Sequence, residues 1–367
     1  MSISERSFLY AKACGIYGKS FLKSRAAELD ACSSLDALCA LLGLPPLPAS
    51  LSGGAASPSA AASTAASPQA AASQGSRGAA LSKLETQIHR NAEAQIRRLL
   101  DTFARIPPLL LVILRRVEVE DLSNALAAAG GGEAECPPHT DLGRSASVDF
   151  SLYPDLERML AESPYQALSA HIKKIDISKN YTFYQAELDK MYWRGFFSAV
   201  QKSRPADCRA AAAIGRAELE LQNAARVLRL RVYYGLGAED VKAHLINIQP
   251  DGTSRPLDRQ ARAALDYPLD HRAPWQGWRF AAFLNPETPG VVWRADPRAF
   301  ENNAAFYIYK MAKKKFHAAP FSLDTAAAFM YLKRTEARLL AAAAEGLALG
   351  IQPAETFKML SFEGYAA

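Results

Sequence analysis

Apolar residues recur along most of this chain with the three-to-four residue spacing of amphipathic helices. One clear stripe is formed by Leu221, Ala224, Ala225, Leu228 and Val232. The segments 81–100, 187–200 and 332–347 show the same period. Strict alternation of apolar and polar positions, which is typical of half-buried strands, is scarce. The pattern predicts an all-α fold.

Three segments interrupt the helical pattern. Residues 45–80 are mostly Ala, Ser, Pro and Gly with almost no charge, which predicts a flexible low-complexity loop. Residues 130–144 and 249–258 are the other two breaks. The breaks divide the chain into three parts of comparable size. We predict that these parts are helical lobes over 1–143, 144–249 and 250–367.

The three parts share a weak internal repeat. In each part an acidic residue is predicted to open a helix, and a second acidic residue follows 33 to 36 positions later. The pairs are Glu85 with Asp121, Glu187 with Glu220, and Glu301 with Glu336. The motif continues as acid-x-x-Asn in the first two parts, with Asn124 and Asn223, whereas Leu339 stands there in the third. This order predicts three similar lobes with pseudo-threefold symmetry, arranged as a ring or funnel.

Residues 13–20, ACGIYGKS, come close to the phosphate-binding loop G-x-x-x-x-G-K-[ST]. Ala13 replaces the first glycine of that motif. The preceding residues include Ser, Glu, Arg and Lys, where a buried parallel strand would be continuously apolar. We therefore interpret the segment as a helix of small residues with an exposed Lys19, not as a nucleotide site.

Composition and charge narrow the classes of function. The net charge of +6 favours an acidic partner or surface, but it is too small to indicate nucleic-acid binding by itself. Five cysteines without a C-x-x-C pair predict neither a disulfide framework nor a zinc site. The apolar runs are shorter than the roughly 18 residues that span a bilayer, and the N-terminus lacks a signal pattern. A soluble or peripheral protein is expected.

Three stretches carry a family resemblance: LRRVEVEDLSNAL (114–126), RAELELQNAARVLRLRVYYGLGAEDV (216–241) and FMYLKRTEARLLAAAAEGLALGIQPAETFKML (329–360). The layout of these stretches resembles the funnel-shaped central-stalk component of vacuolar- and archaeal-type rotary ATPases, the C-type or d-type family. The pattern of that family is an aromatic and acidic helix, then D/E-x-x-N followed by a basic residue, in successive lobes. The chain departs from the family pattern at Leu339 and at Gly130–Gly132, where the first lobe is shortened.

The resemblance implies a non-catalytic rotor part on the cytoplasmic face of the membrane. It implies no cofactor, metal, direct nucleotide or nucleic acid. The implied partners are the central shaft subunits, which the funnel receives, and the membrane proteolipid ring. Torque would then pass between the ATP-hydrolysing head and the ion-translocating ring. Whether the complex moves protons or sodium ions, and whether it makes or hydrolyses ATP, stays open.

Two basic clusters are candidate partner-binding surfaces. One is the run Arg226, Arg229 and Arg231, and the other is a lysine cluster that includes Lys313 and Lys314. A solvated helix face is the alternative interpretation of both. A buried polar group must be paired, so the repeat residues are predicted to be buried hydrogen-bonding groups that fix the lobes. These residues are Asp121, Asn124, Glu220, Asn223 and Glu336.

Two other functions remain open at this point. The run KMAKKKFH (310–317), with aromatic residues interleaved, would suit a helical RNA-binding or adaptor protein. Carboxylates such as Glu187 and Asp189 could act as general acid and base in an enzyme, although nothing in the sequence marks a cleft.

Overall fold

The structure is a computed structural model that describes residues 3–45, 68–172, 176–250 and 256–363. These residues form helices, turns and irregular segments without a β-strand, so the all-α prediction is confirmed. In chain order the described α-helices are α1 (Ile3–Tyr17), α2 (Phe21–Ser24), α3 (Ala26–Asp30), α4 (Leu35–Leu42), α5 (Pro68–Leu100), α6 (Pro108–Leu114), α7 (Arg116–Gly130), α8 (Leu156–Ala161), α9 (Ser169–Ile172), α10 (Ile177–Gln201), α11 (Pro205–Tyr233), α12 (Ala238–Ala243), α13 (Arg259–Ala263), α14 (Pro297–Phe316), α15 (Leu323–Ala348) and α16 (Pro353–Met359).

The chain folds into two compact units that alternate along the sequence. The first comprises Met1–Tyr10 and Leu100–Met330. The second comprises Ala11–Leu99 and Tyr331–Ala367. The division into three consecutive lobes stays a prediction.

The first unit is built on the long helices α10 and α11. Helix α10 packs against α6 and α7, and α11 packs against α13 and α14. The apolar stripe of α11, apart from Val232, lies in a core that is rich in aromatic side chains. The large members of this core are Trp275, Trp278, Phe280, Trp293 and Phe300. Indole and phenyl rings bury large areas, which stabilises a unit whose helices are joined by long irregular segments.

Helices α10 and α11 approach closely at Gly215. A Cβ atom at this position would lie 2.3 Å from Cε1 of Phe196, whose ring is completely buried. Glycine costs about 1 kcal/mol relative to alanine inside a helix. Its presence here is explained by the space that the Phe196 ring requires.

The second unit contains most of α5 and the C-terminal part of α15. Helix α4 ends before Gly43, whose φ of 68° is left-handed, and the N–H of Leu44 donates to the carbonyl of Cys39 at 2.9 Å. This left-handed glycine termination ends the helix shortly before Pro45. Helix α16 begins with Pro353 in its first turn, as its sequence predicts.

Two local predictions are wrong. Residues 46–67 of the predicted loop lie outside the described part, but residues 68–80 form the first turns of α5. The reason is that alanine-rich sequence propagates a helix readily once the amphipathic segment behind it is helical. Glu85 and Glu187 lie inside α5 and α10 and do not open them. Helix α10 starts earlier, where Asp176 accepts a hydrogen bond from the Ser178 N–H.

In the described part of the chain, no helix combines the length and the apolar character needed to cross a membrane.

Candidate functional site

A buried carboxylate joins three helices of the first unit. Asp189 lies on α10 and is 5% exposed. Its Oδ1 accepts a hydrogen bond from Arg116 Nη1 of α7 at 2.8 Å, and its Oδ2 accepts one from Arg226 Nη2 of α11 at 2.6 Å. Gln222 Nε2 donates to the same Oδ2 at 2.9 Å, and Trp193 Nε1 donates to Gln222 Oε1 at 2.8 Å. In this Asp189 network both carboxylate oxygens and the side-chain amide of Gln222 are therefore paired within the first unit.

The Asp189 network holds two guanidinium groups against one carboxylate. Burial lowers the pKa of Arg226, and the nearby Asp189 charge opposes that shift. For Arg116, burial also lowers the pKa, but attraction from Asp189 and Glu120 outweighs it and the net shift is upward. Both arginines stay charged, because guanidinium does not lose its proton in proteins. The network therefore holds α7, α10 and α11 together through charge-assisted hydrogen bonds.

The three arginines of α11 do not form one partner surface, which corrects the sequence interpretation. Arg226 points into the Asp189 network. Arg231 Nη1 donates to the carbonyls of Ala264 at 2.7 Å and Tyr267 at 2.9 Å. Arg229 is exposed and forms an ion pair with Glu301 of α14. The sequence run hides this difference, because successive residues of a helix project about 100° apart.

Asp121 and Asn223 play the same structural role in two different helices. Asp121 Oδ2 on α7 accepts the Thr140 N–H at 2.9 Å, and Asn223 Oδ1 on α11 accepts the Ile246 N–H at 2.9 Å. Asn223, completely buried, also donates through Nδ2 to the Ile246 carbonyl at 3.0 Å. Each side chain thus binds the backbone of the segment that returns after its own helix.

The hydrogen bonds of Asp121 and Asn223 favour a second register of the predicted repeat, and the repeat itself stays a prediction. The sequences VEVED (117–121) and LELQN (219–223) correspond, so Asp121 matches Asn223 and not Glu220. Asn124 is exposed on α7, so the prediction that it is buried is wrong. Burial raises the pKa of Asp121 to about 6, against the opposing effect of its hydrogen bond from Thr140. The neutral amide of Asn223 avoids that desolvation cost.

The other two repeat residues also bind within their own units. Glu220 Oε2 accepts a hydrogen bond from Arg279 Nη1 at 2.9 Å. Glu336, in the second unit, is 2% exposed and pairs with Lys333. Its Oε1 accepts hydrogen bonds from the Phe21 N–H at 2.6 Å and from Ser20 Oγ at 2.9 Å.

The geometry of Ser20 also settles the near-match to a phosphate-binding loop. Helix α1 ends at Tyr17, Lys19 is exposed, and the hydroxyl of Ser20 is buried against Glu336. The segment before Lys19 is a helix and not a strand, as predicted. A hydroxyl used in this way does not face a phosphate or its Mg²⁺.

The predicted lysine residues lie on the outer face of α14. Lys314 is exposed and Lys313 is half-buried. At about 100° per residue, Lys310, Lys313, Lys314 and His317 project within about 60° of the Lys310 direction. Glu301 projects from the opposite side, at about 180° from Lys310. We call Lys310, Lys313, Lys314 and His317 the lysine face. It is separate from the Arg229–Glu301 pair.

The carboxylates considered for general acid–base chemistry are engaged in ion pairs. Asp189 is bound by two arginines, and Glu187 Oε1 lies 2.7 Å from Lys190 Nζ one turn away.

The five cysteines are free thiols. In the described ranges, no group of three or more His, Cys, Asp or Glu residues could hold a metal ion.

The sequence interpretation missed the central role of Asp189 and that of Glu118. A signal was available for Asp189, because Asp189, Tyr192, Trp193 and Phe196 form one helical stripe with a single charged member. A charge on an apolar stripe must be paired when it is buried. Glu118, 1% exposed, accepts hydrogen bonds from the hydroxyl and the N–H of Ser147. Its partner is a coil residue that no periodicity marks.

Comparison with known proteins identifies the family. The profile of the family described as "ATP synthase (C/AC39) subunit" matches residues 64–359. The chain belongs to the ATP synthase C/AC39 subunit family. An uncharacterized protein of Treponema pallidum (strain Nichols) is 29% identical over 250 residues, which cover 66% of this chain and 71% of that protein.

Membership of the C/AC39 family confirms the resemblance seen in the sequence. It supports a role as the C/d-type component of a vacuolar- or archaeal-type ATPase. It also implies association with other subunits of such a rotary complex.

Proposed function

We propose that this protein is the central-stalk component that links the shaft of a V/A-type ATPase to its membrane proteolipid ring. It acts as a socket that transmits torque for ATP-coupled transport of protons or sodium ions. The protein is non-catalytic, it lies on the cytoplasmic face of the membrane, and ATP is consumed on other subunits. Three similar lobes in a funnel with pseudo-threefold symmetry are part of this proposal.

The family match over residues 64–359 carries the proposal. The interior of the first unit adds physical support, because a part that transmits torque must resist deformation. Asp189 connects α7, α10 and α11 through paired charges, and Asn223 ties α11 to the following segment. Close-packed cores transmit strain because they have low compressibility.

Arg229 is the member of the arginine run that is accessible to a partner protein. Its side chain is 55% exposed, whereas Arg226 and Arg231 are used inside the first unit. Its ion pair with Glu301 gives the surface one positive and one negative group in fixed positions. Charge patterns of this kind set the orientation of a partner more than the affinity for it.

Co-purification from the source cell tests the proposed function. The tagged chain is extracted in a mild detergent, and the recovered proteins are identified and quantified. Recovery of shaft and proteolipid ring subunits in fixed proportion is expected. Recovery of the chain alone would contradict the proposal, and recovery with RNA would favour the helical RNA-binding or adaptor function.

Two charge reversals then locate the partner surface. Arg229→Glu is expected to reduce the recovery of shaft subunits. Lys202→Glu reverses an exposed charge at the end of α10 and is expected to leave the recovery unchanged. Equal recovery with both variants would exclude Arg229 from the interface. Far-UV circular dichroism checks that each variant remains helical.

A further inference from the structure

The lysine face of α14 is a cationic surface without acidic neighbours in sequence. Residues 302–323 contain four lysines and one histidine and no Asp or Glu. Glu301, the acidic residue of α14, points away and pairs with Arg229. Within the described part of the chain, Lys310 and Lys314 have no carboxylate within 4.0 Å, and both are exposed. Their charge is therefore directed to solvent.

The helix dipole accounts for only part of this arrangement. Lysines in the last turn stabilise a helix by interacting with its C-terminal carbonyls. Lys313, Lys314 and Lys315 lie in that turn. Lys310 lies outside the last turn, and its ammonium is placed 4.7 Å from the ring centre of Phe306. The segment from Lys310 to His317 spans about 10 Å of helix at 1.5 Å per residue, and the Lys310 ammonium over Phe306 extends the cationic surface toward the start of α14.

The surroundings hold the lysine face in a fixed position. His317 Nδ1 lies 3.2 Å from the hydroxyl of Tyr10. Tyr307, on the same side of α14, packs against Phe283 with ring centres 5.4 Å apart. Asn303 Nδ2 donates to the carbonyl of Phe283 at 3.0 Å. The helix therefore presents its charges from a rigid support, so little order has to be gained on binding.

We propose that the lysine face binds the anionic headgroup surface of a lipid bilayer. Lysine is a compact, strongly hydrated charge, and it is depleted in the cores of protein interfaces, where charges must lose their water. At a headgroup layer lysines keep their water and act together through the surface potential. A basic face on an amphipathic helix is typical of helices that lie on membrane surfaces.

The alternatives fit these side chains less well. Single-stranded RNA would use aromatic rings as stacking platforms. Here Lys310 covers Phe306, and Tyr307 contacts Phe283. A structured acidic partner would favour arginine, whose planar group pairs with carboxylates through two hydrogen bonds. The inference goes beyond the proposed function, which concerns other subunits and not lipid.

Vesicle co-sedimentation of the purified full-length chain tests this inference without any other protein. Vesicles of phosphatidylcholine are compared with vesicles in which about a third of the lipid is phosphatidylglycerol, at low and at high salt. Binding to the anionic vesicles, loss of that binding at high salt, and little binding to the neutral vesicles are expected. Equal binding to both kinds of vesicle, or to neither, would overturn the inference.

Matched variants connect the binding to α14. The double reversal Lys310→Glu and Lys314→Glu is expected to reduce the partition coefficient at least tenfold. The control reversals, Lys179→Glu on α10 and Lys202→Glu just after α10, give the chain the same net charge and are expected to change the partition coefficient less than twofold. Equal losses with both pairs would mean that net charge alone drives adsorption, which would refute the lysine face as a site.

A second variant covers the case in which Lys310→Glu disturbs the Phe306 contact. Lys314→Glu alone removes a charge that has no described contact, and it is expected to weaken binding at least threefold.

Binding of a short single-stranded RNA that depends on Lys310 and Lys314, without binding to vesicles, would replace lipid by nucleic acid. Co-purification of the double variant with other ATPase subunits is expected to persist. Failure of the lipid inference is therefore distinguishable from failure of the proposed function.

Discussion

The substitution Asp189→Asn tests whether the Asp189 network fixes the first unit. The change keeps the shape of the side chain and an oxygen that can still accept the hydrogen bond from Gln222. It removes the negative charge that faces Arg116 Nη1 at 2.8 Å and Arg226 Nη2 at 2.6 Å. Arg226 then loses its carboxylate partner, whereas Arg116 keeps Glu120, whose Oε1 lies 3.5 Å from Arg116 Nε.

The structure gives the size of the expected effect. Breaking a buried ion pair by removing one partner costs about 3–5 kcal/mol. The side chains of Arg116 and Arg226 keep 20% and 17% of their exposure, so solvent compensates part of that loss. We expect the free energy of unfolding of the first unit to fall by about 2–4 kcal/mol.

The location of the tryptophans provides a specific assay. All four lie between residues 100 and 330, so their fluorescence reports the unfolding of the first unit. Urea unfolding is followed by this fluorescence for the wild type, Asp189→Asn and Glu187→Gln. Glu187 lies on the same helix, but its pair with Lys190 is local and more exposed, so its loss is expected to cost less than about 1 kcal/mol. Equal, small losses for both variants would refute the role assigned to Asp189.

Four further substitutions in the first unit are tested by the same assay. Burial raises the pKa of Asp121 to about 6, so the folded state favours its protonated form, and stability is lost as the pH rises from about 4 to 6. Asp121→Asn is expected to remove that pH dependence and to stabilise the unit at pH 7.5 by about 1–3 kcal/mol. Asn223→Ala leaves a buried backbone N–H and a buried carbonyl without partners, and a loss of about 2–4 kcal/mol is expected. Gly215→Ala is expected to cost about 1–3 kcal/mol through overpacking, whereas Gly195→Ala, where nothing lies within 4 Å of the new methyl, is expected to gain about 0.5–1 kcal/mol.

Each of these expectations has an outcome that would contradict it. An unchanged pH profile for Asp121→Asn would mean that another group titrates in that range. A loss below about 1 kcal/mol for Asn223→Ala would show that water replaces the amide. Equal effects at Gly215 and Gly195 would mean that the contact with Phe196 relaxes without cost.

The sequence was sufficient for the all-α class and for the family, but not for every helix boundary. The apolar stripe of α11 predicts a buried helix, because a 3.6-residue period is a property of the chain itself. The helix end at Gly43 and the helix start at Pro353 are local effects of glycine and proline geometry, so they are readable without any tertiary contact. The family motifs are likewise linear and were recognised from the residues between 114 and 360.

Only the tertiary structure decided which polar residues are used inside the protein and which face outward. Arg226, Arg229 and Arg231 look equivalent in the sequence, yet one binds Asp189, one binds a surface glutamate and one binds backbone carbonyls. The similar roles of Asp121 and Asn223 are visible only from the hydrogen bonds that their side-chain oxygens accept from backbone N–H groups. The physical reason is that an ion pair or a buried hydrogen bond joins residues far apart in the chain. Periodicity defines the face on which a residue lies, but the partner across that face comes from the packing of another helix or loop.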